Sequence, residues 1–186
     1  MTRKVVATLF SSVDGVASDP YLFQYDSFDA DLGRLMTEGI AKIDEVVMGR
    51  VTYNEWSGHW PNITEGDDRI FADFINGCPK HVASTTLTPA DMTWQGSQLI
   101  EGDLLDAVRA LKERDGADVG VQGSLSVVRQ LVAAGLLDEL TLIVHPAVAG
   151  TGRRLFDGAG PQRLRLISAT TTEKGNILAT YGPFQG

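Results

Sequence analysis

The sequence contains one cysteine, Cys78, among 186 residues. An intramolecular disulfide and a cysteine-rich metal site are therefore excluded. The chain also lacks an apolar run close to the roughly 20 residues that span a bilayer. Its N-terminal segment has neither the long apolar core nor the cleavage site of a signal peptide. These absences favour a cytoplasmic protein with no membrane partner.

Basic residues are outnumbered, with 16 Lys and Arg against 24 Asp and Glu and a net charge of −8. Nucleic acid needs clustered cations, so we expect no nucleic-acid partner and instead a small-molecule substrate. Repeats and low-complexity tracts are absent, and neither G-x-G-x-x-G nor a Walker A pattern occurs. The length suits a single domain over residues 1–186 with one substantial core.

Apolar periodicity predicts strands that alternate with helices. The predicted strands cover residues 4–10, 45–48, 81–83, 97–100, 119–121 and 140–144. The predicted helix starts are Asp29 or Asp31, the residue after Gly49, Asp67 or Asp68, Asp103 and Ser124. Residues 163–171 and 176–181 alternate around Glu173-Lys174-Gly175, as in a hairpin. The sequence therefore predicts an α/β fold with a mostly parallel sheet and an antiparallel C-terminal edge.

Two strand-to-helix turns have the composition of an anion site. Gly123 and Ser124 follow the strand at 119–121, and Gly49, Arg50 and Thr52 follow the strand at 45–48. Glycine permits close approach, the helix N-terminus presents unpaired N–H groups, and arginine matches phosphate. We expect Ser124 to cap its helix through its hydroxyl. Ordinary turns and a solvated surface arginine would explain the same residues.

Hydroxyl and aromatic side chains suggest two further binding features. Residues 84–86, Ser-Thr-Thr, follow a strand and could donate to the 2′-phosphate of NADP, although a plain polar turn is the alternative. Trp56 and Trp60 form either an aromatic wall for a flat substrate ring or a hydrophobic plug over the sheet. His59 has no second His or Cys at ligand spacing, so no metal site is predicted.

Five segments together resemble the dihydrofolate-reductase-like superfamily: SSVDGVAS, MGRVTY, STTL, GVQGS and GLLDELTLIVHPAVAGTGRRLF. They are similar, more narrowly, to the branch that contains the reductase domain of bacterial riboflavin biosynthesis. The resemblance spans nearly the whole chain. It implies a three-layer fold with helices on both faces of the sheet, NADPH as cofactor, hydride transfer as chemistry and a homodimer.

The resemblance also implies a set of cofactor-binding residues: Gly49, Arg50, Thr52, Ser84, Thr85, Thr86, Gly120, Gln122, Gly123, Ser124 and Leu125. Residues 49–52 would touch the cofactor phosphates, and residues 84–86 would lie near the adenosine 2′-phosphate. The turn at 123–125 would lie under the pyrophosphate. This chain has Gly-Ser where many members have Gly-Gly.

Two carboxylates are candidates for catalysis on the substrate side. Asp14 matches the Ser-x-Asp-Gly segment of the riboflavin branch, and reduction of C=O or C=N needs a nearby proton donor. An Asp-Gly turn that bonds its own backbone is the alternative. Asp31 is the nearest counterpart of the pterin-binding carboxylate of dihydrofolate reductases, with Asp29 next.

The sequence therefore predicts an NADPH-dependent reductase of a small heterocyclic substrate, similar to a pteridine or a ribosylaminopyrimidine. It would act in riboflavin biosynthesis or be a paralogue with another substrate. A genuine dihydrofolate reductase is one alternative. A catalytically silent nucleotide-binding or sensor protein is another.

Overall fold

A computed structural model describes residues 3–184. One eight-stranded sheet, in the order β4-β3-β2-β5-β1-β6-β8-β7, runs through it. The strands are β1 (Val5–Ser11), β2 (Ile43–Gly49), β3 (Lys80–Ala83), β4 (Ser97–Leu99), β5 (Asp118–Val121), β6 (Glu139–Val144), β7 (Leu164–Thr171) and β8 (Ile177–Pro183). The first six strands of this order, from β4 across to β6, are parallel to one another, whereas β8 is antiparallel to both β6 and β7. The predicted parallel sheet with a C-terminal hairpin is confirmed.

Helices cover both faces of the sheet. They are α1 (Ala30–Ile40), α2 (Arg50–Ser57), α3 (Arg69–Gly77), α4 (Leu104–Glu113) and α5 (Leu125–Ala133). Apolar side chains of α4 and α5 pack in one cluster with β1, β2 and β5. Those of α2 and α3 pack in a second cluster with β2 and β3. The expected three layers are therefore present.

Helix starts follow the aspartate signals in the sequence. Asp29, rather than Asp31, precedes α1, and its Oδ1 accepts a hydrogen bond from the Leu32 backbone N–H at 2.8 Å. Asp103 accepts from the Leu105 and Asp106 backbone N–H groups at the start of α4. Satisfying these otherwise unpaired donors fixes where each helix begins.

The path of the chain brings several strand ends to one line. After β4 the chain returns to place β5 between β2 and β1, and β6 then lies on the other side of β1. All these strands are parallel, so their carboxyl ends share one margin of the sheet, which we call the carboxyl edge. Ligands of open α/β sheets bind outside this edge. The turns after β1, β2, β3, β5 and β6 meet there.

Two features are absent from the part of the chain that the structure describes. Within residues 3–184, no helix combines the length and apolar character that a membrane crossing requires. In the same range, no three His, Cys, Asp or Glu side chains are grouped so that they could hold a metal ion.

Candidate functional site

The two glycine turns of the carboxyl edge touch each other. The Gly49 backbone N–H donates to the Gly123 carbonyl oxygen at 3.1 Å. A Cβ atom at Gly49 would lie 2.5 Å from the Ser124 hydroxyl oxygen, and one at Gly123 would lie 2.9 Å from Thr52 Oγ1. Gly123 also has a φ of +77°, which favours glycine. Neither position has room for a side chain, so both glycines are required by this contact.

Two helix N-termini meet at this contact. Helix α2 starts at Arg50, directly after β2, and α5 starts at Leu125, directly after Ser124. The Gly123–Ser124 peptide bond is cis. Unpaired backbone N–H groups and the positive ends of two helix dipoles therefore face one region. Such an arrangement can bind an anion, and a phosphate in particular.

The prediction that the Ser124 hydroxyl caps its helix is wrong. Ser124 does occupy the N-cap position of α5, but its side chain makes no capping hydrogen bond. Its hydroxyl oxygen instead lies 2.8 Å from that of Ser126. The first-turn N–H groups of α5 therefore remain without a side-chain cap, which suits them to an external acceptor.

Arg50 is placed to add positive charge. It is the first residue of α2 and is exposed. Among residues 3–184, its guanidinium group forms no hydrogen bond and no ion pair. Thr52, two residues further, is buried beside Gly123. The guanidinium is thus available to a ligand, whereas Thr52 helps to hold the two turns together.

The turn after β3 brings hydroxyl groups to the same edge. Ser84 Oγ accepts hydrogen bonds from the backbone N–H groups of Thr86, at 3.1 Å, and Leu87, at 3.0 Å. Thr85 and Thr86 are exposed. Ser84 therefore organises a polar turn, which was one of the two interpretations of residues 84–86. The same turn also exposes the hydroxyls of Thr85 and Thr86, which the other interpretation, a 2′-phosphate site, requires as donors.

Three of the predicted cofactor residues make contacts within the protein itself. Gly120 is buried within β5, where a Cβ atom would lie 2.9 Å from Ile43 Cδ1, so the space beside it has no room for a side chain. Leu125 belongs to the core through its side chain. The Gln122 backbone N–H donates to the Val47 carbonyl at 2.9 Å. Of Leu125 itself, the backbone N–H at the start of α5 is the part that can meet a ligand.

Asp14 joins two loops of the carboxyl edge. Its Oδ1 accepts from the Ser12 hydroxyl at 2.7 Å and from the Ala149 N–H at 2.9 Å, and its Oδ2 accepts from the Gly150 N–H at 3.0 Å. The hydrogen bond from Ser12, followed by those from the backbone, lowers the pKa of Asp14 to about 2. An ionised, bonded carboxylate cannot supply a proton. The geometry therefore disfavours the catalytic assignment and favours a structural one.

The carboxylates of Asp31 and Asp29 also have partners within the protein, and neither lines a pocket. Asp31 lies on the exposed side of α1, and its carboxylate is 3.5 Å from the Arg34 guanidinium. Besides capping α1, Asp29 accepts from the Lys174 backbone N–H at 2.8 Å. Neither carboxylate has the environment that binding a pterin ring would need, and the assignment of Asp31 as catalytic is disfavoured.

His145, at the carboxyl end of β6, was missed by the sequence analysis. It is fully buried, with its ring 5.4 Å from that of Phe10 and 6.0 Å from that of Phe23. Ser27 donates to the Gln24 carbonyl oxygen at 2.5 Å and lies 2.7 Å from His145 Nδ1. Because a hydroxyl has one hydrogen, Ser27 must accept from an Nδ1–H group. The Gln24 Nε2 amide group, which can only donate, lies 3.4 Å from His145 Nε2, so that nitrogen accepts and the ring is neutral. Burial also lowers the pKa of His145.

Exposed aromatic rings lie on the segment that His145 holds. Tyr21 is 73% exposed and Tyr25 is 78% exposed, whereas Phe23 between them is buried against His145. Asp19 and Tyr25 both have a positive φ. Exposed apolar surface of this kind is typical of a binding site. The alternation of side chains along residues 140–144 continues to His145. That continuation was the one signal in the sequence that could have indicated its place at the end of the strand.

The tryptophans of residues 56–60 form a plug. Trp56 and Trp60 meet edge to face at 5.8 Å between ring centroids, and Trp60 meets Phe71 of α3 at 4.7 Å. Both pack against the cluster under α2 and α3. The hydrophobic plug is therefore favoured over a wall for a substrate ring.

Comparison with solved structures identifies the fold. The pyrimidine reductase-like protein of Corynebacterium diphtheriae superposes with a TM-score of 0.69, at 17% identity, over 99% of this chain and 93% of that one. A bifunctional diaminohydroxyphosphoribosylaminopyrimidine deaminase and 5-amino-6-(5-phosphoribosylamino)uracil reductase of Thermotoga maritima gives 0.65, at 16% identity, over 98% of this chain. This chain spans 57% of the bifunctional one. The fold is dihydrofolate-reductase-like.

Sequence comparison identifies the family. The uncharacterized protein YyaP of Bacillus subtilis is 25% identical over 182 residues, which cover 96% of this chain and 94% of that protein. The uncharacterized protein YwjB of the same organism is 24% identical over 158 residues, 84% of each chain. Residues 3–178 match the RibD C-terminal domain. The chain therefore belongs to the RibD C-terminal domain family.

Proposed function

We propose that the protein is an NADPH-dependent reductase that transfers a hydride to a small heterocyclic substrate, of pyrimidine or pteridine type. The observation that carries the proposal is the contact between the Gly49 and Gly123 turns, which aims two uncapped helix N-termini at one region. Family membership and the reductases among the structural relatives support the same reaction class.

The residues of the carboxyl edge fit a dinucleotide. The backbone N–H groups at the starts of α2 and α5 would bind the pyrophosphate, and Arg50 would add a charged hydrogen bond to the 2′-phosphate at the adenosine end. The turn at 84–86 lies beside Arg50, because Gly49 and Ala83 are paired in the sheet. The adenosine end would therefore lie toward β3, which leaves the nicotinamide toward β1 and β6. NADPH, when bound, supplies the hydride.

The substrate side is then the region of residues 12–28 and 145–150. The exposed rings of Tyr21 and Tyr25 can pack against a flat heterocycle. Asp14 holds the two loops that border this region together. Hydride transfer to C=O or C=N also needs a proton. Asp14 is ionised and His145 is buried and neutral, so we assign the proton to water at the open edge.

Two alternatives make different predictions. A genuine dihydrofolate reductase needs a free carboxylate on α1, and Asp31 is paired with Arg34 instead. A silent sensor would bind NADPH without turning over any substrate. The test is NADPH consumption with a panel of pyrimidines and pteridines, dihydrofolate included. Turnover of a pyrimidine or another pteridine supports the proposal. Turnover of dihydrofolate alone, or binding without turnover across the panel, would favour one of the alternatives.

A homodimer formed through β7 is part of the proposal. Every residue of this edge strand after Leu164 is exposed, and Leu166 and Ile167 are 55% and 40% exposed. An edge strand with apolar side chains is prone to pair with another chain. A second copy, presenting the same strand, would cover both the side chains and the unpaired backbone groups.

A further inference from the structure

Three residues form a row across the carboxyl ends of neighbouring strands. Gly49 pairs with Ala83, and Val82 pairs with Leu99. The Ile100 N–H donates to the Val82 carbonyl at 2.9 Å, so the β3–β4 register continues past the last paired residues. Adjacent strands lie about 4.8 Å apart. Arg50, Ser84 and Glu101 are therefore successive neighbours at the carboxyl edge.

Opposite charges flank Ser84 in this row. Arg50 and Glu101 are both exposed. Across residues 3–184, neither side chain has an ion-pair or hydrogen-bond partner. The hydroxyl between them, that of Ser84, accepts from the backbone of its own turn. A ligand that reaches this turn would meet a cation on the β2 side and a carboxylate on the β4 side.

These two charges act in opposite directions on the two nicotinamide coenzymes. A carboxylate at the adenosine end accepts a hydrogen bond from the ribose 2′-hydroxyl of NADH, whereas an arginine there binds the 2′-phosphate of NADPH. A monoester phosphate carries about −1.5 to −2 charge at pH 7, so a nearby carboxylate opposes it. Sites for NADH usually have an acidic residue near the ribose 2′-hydroxyl. None follows β3 in this chain, but Glu101 follows the neighbouring strand β4.

We infer that Glu101 is a specificity-determining residue of the coenzyme site, opposing the 2′-phosphate of NADPH and accepting the ribose 2′-hydroxyl of NADH. The inference rests on the proposed function, since it concerns the same coenzyme. Arg50 and Glu101 offset each other, so the chain uses both coenzymes. It prefers NADPH by a factor below about ten, a difference of less than about 1.4 kcal/mol.

The test is titration of the wild-type protein and of Glu101→Gln with NADPH and with NADH. Glu113→Gln is the matched control, because Glu113 is also an exposed glutamate, at the far end of α4. We expect Glu101→Gln to increase the ratio of NADPH to NADH affinity by about fivefold to tenfold, and Arg50→Gln to decrease it. Glu113→Gln should leave the ratio unchanged.

The outcomes separate this inference from the proposed function. If both coenzymes bind and Glu101→Gln moves the ratio no more than Glu113→Gln does, the role of Glu101 is overturned and the reductase proposal stands. If the wild-type protein binds neither coenzyme, both are overturned. Thermal unfolding of each variant ensures that a lost affinity is not a lost fold.

Discussion

The Gly49 backbone lies so close to Ser124 that a single added methyl group would sit 2.5 Å from the Ser124 hydroxyl oxygen. The start of α2 and the turn before α5 are thus built against each other, from residues more than seventy positions apart. This closeness brings two helix N-termini to one region. It gives Gly49 and Gly123 a physical reason.

Replacing Gly49 tests that closeness. Gly49→Ala should separate the two turns, lower the free energy of unfolding by about 1–3 kcal/mol and weaken NADPH binding. Gly58→Ala is the control, because Gly58 lies at the other end of α2 with nothing within 4 Å of its Cβ position. Denaturant unfolding and NADPH titration measure both effects. Equal behaviour of the two variants would contradict the packing described.

Removing the Arg50 guanidinium should weaken NADPH. Loss of a charged hydrogen bond to phosphate costs about 1.5–3 kcal/mol, or roughly a ten- to a hundredfold change in Kd. Arg69→Ala removes another exposed arginine, one that pairs with Asp73 on α3, and should change nothing. Calorimetric titration measures the difference. An Arg50→Ala affinity equal to that of wild type would make Arg50 an ordinary surface residue.

Asp14 should matter for stability rather than for proton transfer. Its pKa is lowered from 3.8 to about 2, so its contribution is complete above pH 3.8 and disappears as the pH falls toward 2. Asp14→Asn should therefore be less stable than wild type at neutral pH and equal to it near pH 2. Asp67→Asn, which changes an exposed aspartate before α3, should match wild type throughout. A pH-independent difference between Asp14→Asn and wild type would oppose this view.

Protonation of His145 should destabilise the folded protein. Burial lowers its pKa below the ordinary 6.5, so the unfolded chain binds a proton at a pH where the folded one does not. Stability is complete above about 6.5 and falls as the pH drops through that value. In His145→Gln this part of the pH dependence should be lost, whereas His59→Gln, at an exposed site, should keep it. Unfolding by denaturant between about pH 5 and 8 decides the point.

The exposed β7 strand should set the oligomeric state. Leu166→Lys places a charge on the apolar part of the strand and should shift a dimer to monomers, while leaving far-UV circular dichroism unchanged. Thr170→Lys, on the same strand but at a polar position, is the control. Light scattering after size exclusion measures the mass. A monomeric wild-type protein would remove the dimer from the proposal.

Local signals were sufficient for the elements but not for their contacts. Asp29 and Asp103 marked helix starts because capping involves residues two or three apart. Besides Ser12 in its own segment, Asp14 accepts hydrogen bonds from the distant Ala149 and Gly150. No local pattern encodes a partner so far along the chain. It becomes available only once β1 and β6 are adjacent.

Other neighbours in the site also depend on the order of the strands in the sheet. No acid follows β3 in the sequence, and Glu101 becomes a neighbour of Ser84 only through the pairing of β3 with β4. The buried place of His145 likewise needs residues 23–27 to fold over the end of β6. Gly120 was assigned to the cofactor by its position in GVQGS, and its close approach to Ile43 depends on the pairing of β2 with β5.

Hydrogen–deuterium exchange of the protein with and without NADPH tests the central claim most directly, because it locates the coenzyme without needing the substrate. We expect added protection at the starts of α2 and α5 and in the 84–87 turn, and none in β7. Protection absent from the starts of α2 and α5, with the coenzyme in excess, would contradict the assignment of the two glycine turns as the coenzyme site.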